Sequence, residues 1–540
     1  MNRNIKIALI TLLITIAVIG GTYAYYVWTT SSGEETKIST SLGAATIYLD
    51  GGGDINQANL KPTATKEEVI VKNIKITGSV SNKLSFNLYF DIIELGENLN
   101  EESFKFALYK GSTLVKEGNF TDEYINNNAV TCNIDSTKKH VVLLENELIS
   151  TSITTYTLYV WVDGTMENPS TMMKNQSYKF SLHADGQNAI IREGKIPDIT
   201  QTTTNSLAYN IVSNYLNSTK TDASNNGIVY HLDTDHNLIS DIAGNVRYYG
   251  ANPNNYIYFN CDDYSNQTSS TCEVWRIIGV FDGKIKLIRN SVIGNYSWDT
   301  SASTVNSGQG YNQWGENGDY KGADLMKLLN PGYSDNTDLN SSGSSIKVNN
   351  SLYYNAGSGT CYNGESNATK TCDFTKTGLK NDQTRNLISK TLYYLGGYDS
   401  PKVYSDQMYE YERGTKLGTN PYASSTWEGY VALPYASDYG YAADFNSCTQ
   451  NLFDYDNTSC TSTNWMKSIF SSSYNWLLPP NSGYSYFAWN VFSPGHVNNL
   501  SNSLVYIDCG AAPVLYLESN ANIDGATTGT SDNPYKLVVS

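Results

Sequence analysis

Between residues 35 and 188, apolar and polar side chains alternate in short bursts: ATIYLD, EVIVKNIKITG, LSFNLYFDII, SFKFALYKGSTLVKEGNF, HVVLLEN, TTYTLYVWVDG and SYKFSLHADG. A period of two puts alternate side chains on opposite faces of a β-strand. Many short strands, turns between them and no helical period predict a β-sandwich domain over this span. LYKGSTLV reads as a hairpin within it. Residues 189–225 read as a polar connector with Pro197 and a Thr run. They include one short amphipathic helix, with Leu207, Ile211, Val212, Tyr215 and Leu216 on a common face.

From 226 to 540 the periods mix. NYIYFNC and EVWRIIGVFDGKIKLIRN predict a β-meander with Asp282-Gly283 at a tight turn. GADLMKLLN and TRNLISKTLYYLGG carry helical spacing, and WEGYVALPYA, SLVYIDCG and APVLYLE return to strands. The expected class is mainly β, with an α+β second domain whose long loops sit on a rigid scaffold and are its natural functional surface.

The first 28 residues follow neither pattern. MNRNIK is basic, IALITLLITIAVIGG is apolar, and Thr22-Tyr23-Ala24 offers a small-residue exit. This is the layout of a secretory signal. Cleavage after Ala24 gives a mature chain beginning at Tyr25. Uncleaved, Ile5 to Trp28 is long enough to cross about 30 Å of hydrocarbon, with Tyr25, Tyr26 and Trp28 as an interfacial belt. Either way the remainder is expected outside the cell, secreted or membrane-anchored through this segment.

The cysteines agree with export. CDDYSNQTSSTC (261–272), CYNGESNATKTC (361–372) and CTQNLFDYDNTSC (448–460) each close a polar stretch between two thiols. The spacing lacks the CxxC or Cys/His clusters of a zinc site. It predicts three local disulfides, Cys261–Cys272, Cys361–Cys372 and Cys448–Cys460, which persist outside a reducing cytosol. Cys132 and Cys509 are left over. A net charge of −16 over 540 residues argues against nucleic acid as a partner. The 43 tyrosines, set among Ser, Asn and Gly, suit half-buried strands or rigid contact surfaces equally.

Catalytic signatures are missing. There is no HExxH, nucleophile elbow, P-loop or dinucleotide fingerprint, so no catalytic residue, metal ligand or cofactor is assigned. Asp233, Asp235 and Asn237 have the spacing of a calcium loop, but Leu238 stands at its glycine and Gly244 at its twelfth position, which favours a solvated turn. Cys509 reads as a small buried hydrophobe. The stretch best suited to binding is PPNSGYSYFAWNVFSPGHVNNLSNS, 479–503. It offers Tyr484, Tyr486, Trp489, Phe492, His496, Asn498 and Asn499 as ligand contacts, because flat apolar faces and amides occur together.

Two resemblances extend this reading. GGTYAYYVWTT, followed by NLKPTATKEEVIVKNIKITGSVSNKLSFNLYF, resembles the TasA/camelysin type of exported Gram-positive matrix proteins over about residues 1–190. Gly20 to Ala24 match its signal motif and Leu60-Lys61-Pro62 its early turn. The resemblance implies a jelly-roll-like sandwich and, in some members, fibre assembly. VWRIIGVFDGKIKLI, a helix ending in LLN, GYVALPYASDYG, NWLLPP and APVLYL resemble, in that order, bacterial surface domains of C-type-lectin-like fold, related to formylglycine-generating enzymes. The order covers about 245–540 and implies a ligand surface just before the last strands. The expected function is an exported cell-surface binding or adhesion protein with an unknown protein or glycan ligand. The alternatives are a structural matrix or fibre subunit that polymerises with itself, and a formylglycine-generating-like oxidase.

Overall fold

The computed structural model describes residues 24–27, 45–50, 55–58, 62–63, 70–78, 84–130, 139–149, 153–165, 177–187, 189–193, 195–299, 311–315, 322–331, 350–351, 353–354, 360–362, 370–371, 378–417, 423–470, 472–500 and 503–539. The protein is mainly β and divides into two compact units, residues 1–196 and 197–540.

The first unit is built from two sheets. One runs in the order Ala24–Val27, Ser177–Gln187, Leu84–Leu95, Lys139–Ile149, Ala129–Val130. The other runs Ala189–Glu193, Ala45–Asp50, Ile70–Gly78, Thr154–Asp163, Phe104–Lys110, Thr113–Asn119. The alternation in the sequence explains why they stack. Phe86, Leu88, Phe90 and Phe180 leave the first sheet, Ile74, Phe104, Phe106 and Leu158 leave the second, and all join one buried cluster. The Phe90 and Phe106 rings lie 5.7 Å apart across the interface, and those of Phe104 and Tyr178 5.4 Å. Each such ring contributes roughly 1.5–3 kcal/mol by leaving water.

Two segments depart from expectation. Ala24–Val27, placed at the end of a signal or anchor, is an edge strand paired antiparallel with His183–Gly186. Tyr-Tyr-Val are good β formers, and a strand that starts here is compatible with a mature chain beginning at Tyr25. No helix among the described residues is long and apolar enough to cross a membrane. The apolar run before Ala24, and Cys132, lie outside the described residues. Ala189–Glu193, read as connector, pairs parallel with Ala45–Asp50; its Ile-Ile pair suits a strand better than a linker.

The second unit is organised on a nine-stranded sheet. Its main path is Thr221–Asn225, Ile228–Asp233, Leu238–Ser240, Val246–Tyr248, Glu273–Phe281, Lys284–Arg289, Val514–Tyr516, Val431–Ala432. The expected hairpin closes through Asp282 (φ 48°) and Gly283 (φ 77°), left-handed conformations that the Asp-Gly pair tolerates. A smaller sheet joins Asn295–Tyr296, Cys509–Gly510, Tyr474–Pro480, Ala488–Phe492 and Val497–Asn498. The helix Leu207–Asn217 forms as its spacing predicts, with Ser206 Oγ accepting from Tyr209 N at 3.1 Å. Its Leu207, Ile211, Val212 and Tyr215 enter the same core as Trp275 and Leu287, so helix and following strand belong to this unit rather than to a linker. Asp324–Leu329 is also helical. TRNLISKTLYYLGG is not one helix: Asp382–Asn386 is helical, and Thr391–Tyr394 pairs with Thr426–Gly429. β-Branched and aromatic side chains override the helical spacing there.

Two of the three expected disulfides form, Cys261–Cys272 and Cys448–Cys460. Cys361 lies in the strand Thr360–Tyr362, and its expected partner Cys372 lies outside the described residues. The stapled loops are less superficial than their polarity implies. Tyr264 is buried with its hydroxyl 3.0 Å from Thr384 Oγ1. The Gln267 amide donates to Leu537 O and accepts from Leu537 N, tying in the strand Leu537–Val538. Leu452 and Tyr455 fill the core beneath the second staple.

Candidate functional site

The stretch 479–503 forms the edge of the smaller sheet, and its aromatic residues separate into three environments. Before the strand Ala488–Phe492, Tyr484, Tyr486 and Phe487 cluster, with ring centroids 4.8–5.9 Å apart. Tyr484 is 48% exposed although its backbone is firmly held. Buried Asn481 accepts from Gly483 N at 2.7 Å and Tyr484 N at 3.1 Å through Oδ1. Buried Asn312 donates from Nδ2 to the carbonyls of Asn481, Tyr484 and Phe487 at 2.7–3.0 Å. Val505 N donates to Tyr486 O, and Phe487 bridges Leu504. Tyr506, just beyond, is 44% exposed. The amides hold the loop, Tyr484 and Tyr506 project from it, and Tyr486 and Phe487 lie half-buried beneath.

At the far end of that strand, about 13 Å away at strand rise, Phe492 packs on His496 at 4.4 Å and on Tyr474 at 4.6 Å, with Phe453 5.6 Å from His496. Burial lowers the His496 pKa, partly offset by Asp456 and Asp454. Asn498 caps the following turn, accepting from Asn499 N and Leu500 N.

Trp489 and Asn499 correct the expectation. Both are 0% exposed. Trp489 Nε1 and Asn499 Nδ2 donate to the same carbonyl, that of Tyr398, at 3.2 and 3.0 Å. They brace the strand from inside, because the sheet is covered on both faces: Ala488, Trp489, Asn490 and Val491 are all buried. Neither is placed to touch a ligand. The expected residues thus leave a surface of Tyr484 and Tyr486, to which Phe487 and Tyr506 are added, and a separate cluster at Phe492 and His496.

The remaining candidates resolve simply. Asp233 accepts from Asp235 N and His236 N at 3.1 Å and pairs with His236 Nδ1 at 2.8 Å, so HLDTDHN is a capped turn. Cys509 is a free, buried thiol whose pKa is raised by burial and then by Asp508. A thiol so placed holds its proton and is a poor nucleophile.

Sequence reasoning missed the charges inside this unit. Arg247 donates to Asp241 at 2.6 Å and to Asp438 at 2.7 Å, and Lys286 reaches Asp438. Glu412 accepts from Ser437 N at 2.9 Å and Ser437 Oγ at 2.5 Å, with Arg413 at 3.5 Å. Burial works against the charge of Asp438, but Lys286 and Arg247 hold its carboxyl below the ordinary range. Burial pushes Lys286 down to about 8 against the pull of Asp438, and Glu412 up to about 7 against the pull of Arg413. The network knits the sheet to the helices Ser405–Glu412 and Ala436–Tyr441. No sequence signal marks it, since its members come from positions far apart in the chain and are joined only by the fold. No protein-family model matches the chain, and no curated protein matches it at significance.

Proposed function

We propose that the chain is an exported cell-surface binding protein. The first unit is a jelly-roll-like sandwich acting as stalk, and the second a C-type-lectin-like domain presenting a ligand surface around Tyr484 and Tyr486. The observation that carries this reading is the contrast at Tyr484: its backbone is fixed by buried amides and its ring stands exposed. A rigid aromatic anchor loses little conformational entropy on binding. The disulfides support the export part of the reading. The buried Cys509 thiol gives no support to an oxidase. The ligand class is a glycan or protein surface with flat apolar and hydrogen-bonding groups. Binding of the full soluble chain to glycan arrays and to whole cells tests the proposal. Saturable binding that survives high salt is expected, since the surface is aromatic rather than charged. Absence of binding to every glycan and cell type presented overturns it.

A further inference from the structure

The chain has five histidines, and two of them meet one aspartate inside the first unit. The strands Leu84–Leu95, Lys139–Ile149 and Ser177–Gln187 lie side by side, with Leu84–Leu95 in the middle. Their alternate residues Phe86, Leu88, Phe90, Val141, Phe180 and Leu182 enter the core between the sheets. Asp91, His140 and His183 fall on the opposite face. Asp91 is directly across from His140 on one neighbour and from Ser181 on the other, with His183 two residues further on.

That face is polar at this point, yet it is closed. Asp91, His140 and His183 are 0%, 1% and 2% exposed. His183 Nδ1 lies 2.6 Å from Asp91 Oδ1, and His140 Nδ1 reaches the same oxygen. The two imidazole planes are perpendicular, at 89°, with centroids 4.9 Å apart. Tyr89 stacks on His183 at 4.6 Å, and its hydroxyl donates to Asp185, which fixes the ring from behind.

Hydrogen bonding within the group leaves it incomplete. Asp91 Oδ2, His140 Nε2 and Ser181 Oγ are buried and have no hydrogen-bond partner among the described residues. Buried polar groups are normally paired, and a carboxylate removed from water needs more compensation than one shared oxygen supplies. A cation supplies it. Two imidazoles and a carboxylate are the donor set of zinc-class ions, whereas calcium and magnesium favour oxygen ligands. One donor atom from each residue already lies within 4.8 Å of the others. Metal–ligand bonds of about 2.0–2.2 Å place tetrahedral donors roughly 3.3 Å apart. Coordination replaces the hydrogen bonds that both Nδ1 atoms make with Asp91 Oδ1, so the donors must separate to that spacing as the ion enters.

We propose that Asp91, His140 and His183 bind one zinc-class divalent cation, with Ser181 or a water in the fourth position, and that the ion clips the three strands together. The closed surroundings make this a structural site. It is independent of the binding surface proposed for the second unit.

The test uses the full, untagged chain stripped of metal by a chelator and then titrated with Zn²⁺ and with Co²⁺. The expected result is one equivalent per chain, the visible absorption of four-coordinate Co²⁺, and a higher melting temperature of the first unit. Asp91→Asn and His183→Gln are expected to weaken binding by more than the roughly 10–100-fold typical of losing an outer partner of a ligand. The double variant His231→Gln/His236→Gln leaves it unchanged. Absence of stoichiometric binding by the wild-type chain overturns the proposal. So does binding that follows His231 and His236 instead. The wild-type titration and the Co²⁺ spectrum need no variant, so a variant that fails to fold does not leave the question open.

Discussion

Lys286 Nζ stands 2.5 Å from Asp438 Oδ2, and neither side chain is exposed. Arg247, also buried, shares the same carboxylate. A buried ion group of this kind contributes little net stability against an apolar replacement, but breaking it strands a charge. Asp438→Asn keeps the shape and removes the charge that Lys286 and Arg247 face. The expected cost is about 3–5 kcal/mol, read by urea unfolding followed through tryptophan fluorescence, since Trp275, Trp298, Trp314, Trp427, Trp465, Trp476 and Trp489 all lie in the second unit. A loss below about 1 kcal/mol contradicts the assignment of this network as a tightly coupled interior group.

Glu412 sets a pH dependence. Its folded-state pKa is raised from the ordinary 4.5 to about 7 by burial. The native state therefore favours the protonated acid. The stability this contributes is complete below about pH 4.5 and is lost as the pH rises through about 7. Lys286 acts in a separate window: its pKa falls from 10.5 to about 8, so its contribution is present above about 10.5 and is lost as the pH falls through about 8. The second unit of Glu412→Gln is expected to show a flatter melting temperature between about pH 4.5 and 7 than the wild type. An unchanged slope in calorimetry at stepped pH contradicts this.

The two staples give a third expectation. Peptide mapping without reduction is expected to find Cys261–Cys272 and Cys448–Cys460, and to find Cys509 alkylated only after unfolding. Replacing Cys448 and Cys460 together by Ser is expected to cost roughly 3 kcal/mol, the chain-entropy value for a loop of this length. Recovery of these four cysteines as thiols from exported protein contradicts the reading.

Local signals in the sequence were dependable where one interaction decides the structure. Asp282-Gly283 makes its turn because two left-handed residues are needed and these two accept that backbone. Leu207–Asn217 is helical because one apolar face meets one core. Burial of single side chains was hardest to read where both faces of an element are covered. Lys284–Arg289 forms the strand its alternation implies, but nothing in that pattern shows that Lys286, ordinarily a solvent-facing residue type, is wholly buried against Asp438. In Ala488–Phe492 the same covering hides Trp489 while Tyr484 stays exposed, and composition cannot distinguish two aromatic residues five positions apart. Asp91, His140 and His183 are brought together by strand register alone, a relationship between residues up to 92 positions apart.

The exposed ring of Tyr484 and the half-buried ring of Tyr486 beside it provide the residue-level test of the binding surface. Tyr484 contributes its ring to solvent and its backbone to Asn481 and Asn312. Truncating the ring leaves both backbone hydrogen bonds in place. Surface changes of this kind stay within about 0.5 kcal/mol of stability, whereas an interface anchor is worth about 2 kcal/mol or more in binding. Tyr484→Ala is therefore expected to weaken ligand binding by roughly 30-fold or more with nearly unchanged melting of the second unit, and Tyr486→Ala to weaken it likewise with a modest loss of stability, because that ring packs partly on the core. Trp489 is the internal control. Its ring is fully buried and its Nε1 is bonded to Tyr398 O, so Trp489→Ala is expected to cost about 3–5 kcal/mol and disturb the whole unit. If both tyrosine variants bind as the wild type does, the aromatic cluster is packing rather than recognition. If they melt as Trp489→Ala does, the rings are part of the core, and the surface at Phe492 and His496 becomes the one to probe.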